Sequence, residues 1–137
     1  MPDSSNEPRW LSRLVVEAIH HDVLATHGGL PGIRDESLLE AALARPRQVL
    51  SYGADIDFPA LAAACAYGIA RNHPFHDGNK RMAFMTMAVF VELNGMAFVA
   101  SEAEVVATML ALAAGEIEEA ELAAWARGHL REREASL

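Results

Sequence analysis

The chain has 137 residues, close to the commonest size of one domain, and a chain of this length buries roughly 70% of its unfolded surface, so one domain over residues 1–137 is expected. A composition of 52% hydrophobic and 22% charged residues excludes disorder beyond the two polar ends. Eleven basic residues against nineteen acidic ones give a net charge of −8, which opposes a track along a nucleic-acid backbone but leaves room for a few local donors around a small anion.

Residues Met1 to Pro8 lack a basic start and an apolar run, so no secretory signal is expected there. The longest apolar stretch, Met82 to Leu93, falls short of the ~20 residues of a membrane span. No membrane contact and a cytoplasmic location are the expectation. The one cysteine, Cys65, sits in an Ala-rich stretch and reads as a small buried hydrophobe.

From Trp10 to Thr26, apolar residues recur at Leu11, Leu14, Val15, Ala18, Ile19, Val23 and Leu24, the three-and-four spacing of one helix face. His27-Gly28-Gly29-Leu30-Pro31-Gly32 stops that helix. Asp35 is an N-cap for a short second helix with Leu38, Leu39, Ala42 and Leu43, which Pro46 is expected to end. Residues 47–57 read as a loop or a short flap hairpin.

Asp57 caps a third helix with Pro59 in its first turn, and its run of alanines with Gly68 permits close packing. A fourth helix, from about Gly78 to Leu93, is apolar on every face after its first turn and is expected to be central. Asn94-Gly95 ends it. Ser101 and Glu104 form a capping box for a fifth helix reaching Gly115, and a sixth runs from about Glu118 to Leu130, before a frayed tail from Arg131. The fold class is therefore an all-α, compact single-domain bundle of about six helices around one central buried helix.

The connection between the third and fourth helices, His73-Pro74-Phe75-His76-Asp77-Gly78-Asn79-Lys80-Arg81, carries the chemistry. Gly78 and Asn79 open a helix whose free first-turn N–H groups make an anion site. Lys80 and Arg81 add two cations where the helix dipole disfavours them; a solvated basic turn is the plain alternative, but bound phosphates would reverse the penalty. Asp77 offers a hard oxygen for Mg2+, or caps the fourth helix. His73, ahead of a proline that favours extended backbone, is placed to aim its imidazole toward the phosphates and to take a proton from an attacking hydroxyl; a lone histidine there would otherwise serve the helix dipole. Phe75 is the apolar anchor of the loop, and His76 is assigned nothing. The pattern fits a phosphotransferase using a nucleoside triphosphate.

The string His-Pro-Phe-x-Asp-Gly-Asn-x-Arg resembles the signature of the Fic/Doc superfamily. Gly28-Gly29-Leu30-Pro31-Gly32, Arg34-Asp35, Leu38-Leu39, the run Ala41 to Pro46, and Ala114-Gly115-Glu116 resemble its compact death-on-curing branch. The resemblance implies that His73 is the base, that Asp77 holds Mg2+, and that Gly78, Asn79 and Arg81 cradle the phosphates of ATP or another nucleoside triphosphate. Lys80 replaces a glycine, and Phe84 a second arginine, of the nucleotidyl-transferring members. Sharing that lysine with the death-on-curing branch implies a reversed nucleotide whose γ-phosphate faces the acceptor. It implies a kinase acting on a protein hydroxyl, by analogy a threonine of elongation factor Tu. Many members of the superfamily carry a Ser/Thr-x-x-x-Glu-Gly/Asn inhibitory helix, and no stretch here fits that pattern, so restraint is expected from a separate antitoxin chain.

Three alternatives compete. One is nucleotidyl transfer (AMPylation) on the same loop. A metal-dependent phosphohydrolase would use His76-Asp77 with His20-His21-Asp22 as His-Asp doublets, leaving Gly78 to Arg81 unexplained. A non-catalytic module would use a groove to hold a partner helix, leaving His73 unexplained.

Overall fold

The computed structural model describes residues 7–133. In chain order these form α1 (Arg13–His27), α2 (Glu36–Tyr52), α3 (Phe58–Asn72), α4 (Asn79–Leu93), β1 (Met96–Phe98), α5 (Glu102–Ala113), α6 (Glu119–His129) and β2 (Leu130–Glu132). The architecture is an all-α bundle with one small antiparallel pair, β1 on β2, in which Ala97 faces Arg131. No described helix is long and apolar enough to cross a membrane.

Local chemistry sets most boundaries. Ser12 accepts from the Val15 N–H and starts α1 three residues later than the hydrophobic pattern suggests. Trp10 and Leu11 lie ahead of the helix and pack on the core, with Trp10 stacked on Phe90. Asp35 caps α2 through the Leu38 N–H, and Asp57 caps α3 through the Ala60 N–H.

Helix α3 lies innermost, packed against α2, α4 and α6. Its alanines supply the reason: nine of its residues are buried, and a side chain added at Gly68 would come within 3.0 Å of the Ala42 backbone on α2. Helix α4 buries Met82, Ala83, Thr86, Met87, Phe90 and Val91 against that centre. Its other face is open rather than enclosed, with Met85 exposed. The enclosed position expected of the fourth helix thus belongs to the third, whose small side chains let three neighbours approach at once.

Three further expectations are corrected. Helix α2 does not end at Pro46 but continues to Tyr52. Pro46 is buried within it, and Val49 and Leu50 pack on the core, so burial of the following turn outweighs the lost backbone bond. Residues 47–57 form no hairpin: after Tyr52 the chain turns at Gly53, over which Ile56 folds so closely that a Cβ there would lie 2.4 Å from it. Residues 130–132 are not frayed but pair with β1, secured by the Val99 N–H to the His129 carbonyl at 2.7 Å and the Arg133 N–H to the Gly95 carbonyl at 2.9 Å. The end of the tail, 134–137, lies outside the described residues.

Candidate active site

The loop between α3 and α4 is built on two buried residues, Pro74 and Phe75, while His73, His76 and Asp77 are exposed. Phe75 is 1% exposed. Asn79 closes the loop on itself: its amide oxygen accepts from the Phe75 N–H at 3.0 Å and its amide nitrogen donates to the Phe75 carbonyl at 2.9 Å. The Asn79 side chain is therefore occupied in shaping the turn, and any phosphate contact from this residue falls to its backbone.

The segment between α1 and α2 grips the outside of the loop. Leu30 N–H donates to Asp77 Oδ2 at 2.6 Å, and the His76 N–H donates to the Gly32 carbonyl at 3.2 Å. Ile33 bridges Phe75 as an isolated antiparallel pair. The Arg34 guanidinium donates to the carbonyls of His73 and Asn72 at 2.7 and 2.9 Å, satisfying acceptors left over at the end of α3.

His73 is the C-cap of α3 with φ 49° and ψ 57°, left-handed rather than extended as the following proline suggests. The proline disfavours the helical region for His73, and the left-handed conformation ends α3 while leaving both final carbonyls to Arg34. Its side chain is exposed.

Helix α4 begins at Gly78, itself left-handed with φ 84°, and no side chain caps it. Its first turn holds no acidic residue, and Lys80 and Arg81 project from it, both exposed. Arg81 Nη1 donates to His27 Nε2 at 3.4 Å. Both cations line a groove of ≈ 860 Å³ between α1, α4 and α5, whose walls include Phe84, Met85, Val106 and Leu110. Phe84 also leans on Phe98 of β1, ring centroids 5.8 Å apart.

The structure thus brings Lys80, Arg81 and Phe84 to one concavity. It brings Gly78, Asn79 and Asp77 together in the loop that leads there. His73, Asp77, Gly78 and Asn79 are not among the residues that line that groove.

Asp77 suits a magnesium ion in one respect: Leu30 occupies Oδ2, leaving Oδ1 to share a cation held chiefly by phosphate oxygens and water. The alternative cap on α4 is not made. His20, His21 and Asp22 do not form the metal cluster of a phosphohydrolase. His20 is buried beneath the loop while His21 and Asp22 are 87% and 88% exposed at their side chains. Among the described residues no group of three or more His, Cys, Asp or Glu side chains converges.

Sequence reasoning missed two contributors. His20 was readable as a polar residue on the buried stripe of α1, between Val16 and Val23. Arg34 carried no local signal for its grip on the end of α3, 39 residues away.

With this geometry in place, comparison with known proteins gives the class. The chain belongs to the Fic/DOC family, whose model matches residues 10–91, from just before α1 to the last turns of α4. It is similar to Toxin Doc of Mycolicibacterium smegmatis (strain ATCC 700084 / mc(2)155), 46% identical over 72 residues that make up 50% of this chain and 54% of that protein. It is also similar to Protein kinase doc of Escherichia phage P1, 32% identical over 88 residues, 64% of this chain and 70% of that one. The match thus spans about half the length of the first relative.

Proposed function

We propose that this protein is a toxin-type phosphotransferase that moves the γ-phosphate of ATP or another nucleoside triphosphate onto a protein hydroxyl. The observation that carries the reading is the start of α4, where an uncapped turn with no carboxylate holds Lys80 and Arg81. Exposed N–H groups and two cations are a combination that phosphate oxygens stabilise.

In this reading Gly78 and the backbone of Asn79 admit phosphate oxygens, Lys80 and Arg81 neutralise them, and Phe75 keeps the loop seated. Asp77 would hold Mg2+ through Oδ1, and a magnesium ion there would offset negative charge on the phosphates. His73 removes the proton of the acceptor hydroxyl as its oxygen bonds to the γ-phosphorus. The bond to the bridging oxygen breaks, and a nucleoside diphosphate leaves with the electron pair.

Lys80 in place of glycine and the apolar Phe84 in the groove favour transfer of the γ-phosphate over nucleotidyl transfer, and the phage relative bears the name of a protein kinase. The acceptor class is a Ser or Thr hydroxyl, with elongation factor Tu the first candidate. The toxin's restraint is a separate antitoxin chain, in keeping with the name of the Mycolicibacterium relative.

The test is incubation with ATP labelled at the α or γ position and candidate acceptors, with and without the protein encoded next to this one. Transfer of the γ-label is expected; transfer of the α-label would establish AMPylation instead. His73→Ala should lower transfer by about 100-fold or more while leaving nucleotide affinity nearly unchanged. Unchanged activity in that variant removes the base from the scheme.

A further inference from the structure

One buried polar side chain has no part in the scheme above. His20 is 6% exposed and lies on the inward stripe of α1. Burying an imidazole is costly unless its N–H finds an acceptor. Its Nε2 stands 2.9 Å from the carbonyl oxygen of Asp77, and because a carbonyl only accepts, Nε2 carries the proton and donates. The same ring stacks on Phe75, centroids 4.0 Å apart and planes 19° from parallel.

Asp77 is consequently held at two points, its carboxylate by the Leu30 N–H and its main chain by His20. The next residue is the left-handed Gly78, where a Cβ would lie 3.5 Å from Val23 and 3.8 Å from His20 Nε2. The peptide joining Asp77 to Gly78 therefore rests on α1. Its orientation determines where the first N–H groups of α4 aim and where the Asp77 carboxylate sits. A 1 Å error at such a point costs a rate of the order of 100-fold.

We propose that His20 is a positioning residue for the loop, with two separable tasks: its ring seats Phe75, and its N–H sets the Asp77–Gly78 peptide. The kinetic consequence rests on the phosphotransfer reading, whereas the orientation of the peptide does not.

Two variants of the full chain divide the tasks. His20→Phe keeps a stacking ring and removes the donor. His20→Gln places an amide donor near the position of Nε2 and removes the ring. Thermal melting, amide hydrogen exchange, nucleotide affinity, and kcat and KM for transfer are measured on each.

The Phe variant should melt within a few degrees of the parent. Its Phe75 and His76 amides, bonded to Asn79 and Gly32 in the parent, should exchange about 10-fold faster with α3 unchanged. Its kcat should fall about 10- to 100-fold with little change in KM. The Gln variant should melt lower yet recover most of that kcat. A histidine that only filled space would give the opposite order, with Phe near the parent and Gln the worse in rate. That order, or parent-like exchange in a folded Phe variant, overturns the proposal. If the Phe variant does not fold, the Gln variant's rate decides. If the parent itself transfers no label, the transfer reading fails, and hydrogen exchange alone decides the role of His20.

Discussion

The starts of α4 and α5 are opposites within one chain. At α5, Ser101 Oγ accepts from the Glu104 N–H at 3.1 Å and Glu104 Oε1 accepts from the Ser101 N–H at 2.9 Å, with Glu102 adding negative charge beside them. At α4, a left-handed glycine stands where the cap belongs, and the first turn carries a lysine and an arginine instead of acids. Each misplaced cation costs about 0.3–1 kcal/mol against the helix dipole. The chain solves helix initiation conventionally at α5, and at α6 the Glu118 N–H donates to Glu121 Oε1 at 2.9 Å with acidic residues in the first turn. The exception at α4 thus does not come from any lack of capping chemistry in the sequence.

Making α4 resemble α5 should produce the largest effect. In the proposed reading Lys80→Glu removes a charge-assisted phosphate contact worth roughly 1.5–3 kcal/mol, so nucleotide affinity should fall at least about 10-fold by calorimetry. The ligand-free protein should nonetheless hold or gain about 0.3–1 kcal/mol in urea unfolding, because a carboxylate now meets the positive end of the helix. Loss of stability with affinity retained would erase the contrast between the two termini.

The converse change is smaller. Ser101→Ala removes the cap of α5 and should cost about 1 kcal/mol of stability, with nucleotide affinity and transfer at parent level. The smallest effect concerns pH. The N–H of Ser101 holds the Glu104 carboxyl below its usual range, with the His129 ring and the Ser101 hydroxyl assisting. A depressed folded pKa contributes stability above the ordinary glutamate value, and the contribution is lost as pH falls through the folded one. The stability gap between the parent and Glu104→Gln should therefore close as pH falls below about 4.3. A gap that widened in acid would show that the capping box does not act through the ionised carboxylate.

What the sequence made legible was local. The caps at Asp35, Asp57 and Ser101, and the glycine stop after His27, depend on side chains within a few residues of the backbone they serve. The burial of Phe75 was equally plain, since it is apolar in a polar loop. The end of α2 was misjudged because Pro46 is a local signal, whereas the burial of Val49 and Leu50 is a tertiary one. The conformation of His73 departs from the local signal for the same reason: the proline excludes one backbone region, and the distant Arg34 binds the carbonyls that the remaining choice exposes. The short pairing of β1 with β2 had too few residues on either side to show an alternation.

The stretch from Leu30 to Arg34 works as a ruler. Leu30 and Gly32 engage the loop through main-chain atoms, and the side chain of Leu30 is exposed. A change of side chain at Leu30 should therefore leave both main-chain grips in place, whereas a change in the number of links between Leu30 and Arg34 should not. Deleting or inserting one residue there would shift successive grips out of register and displace the loop with every one of its own residues still in place.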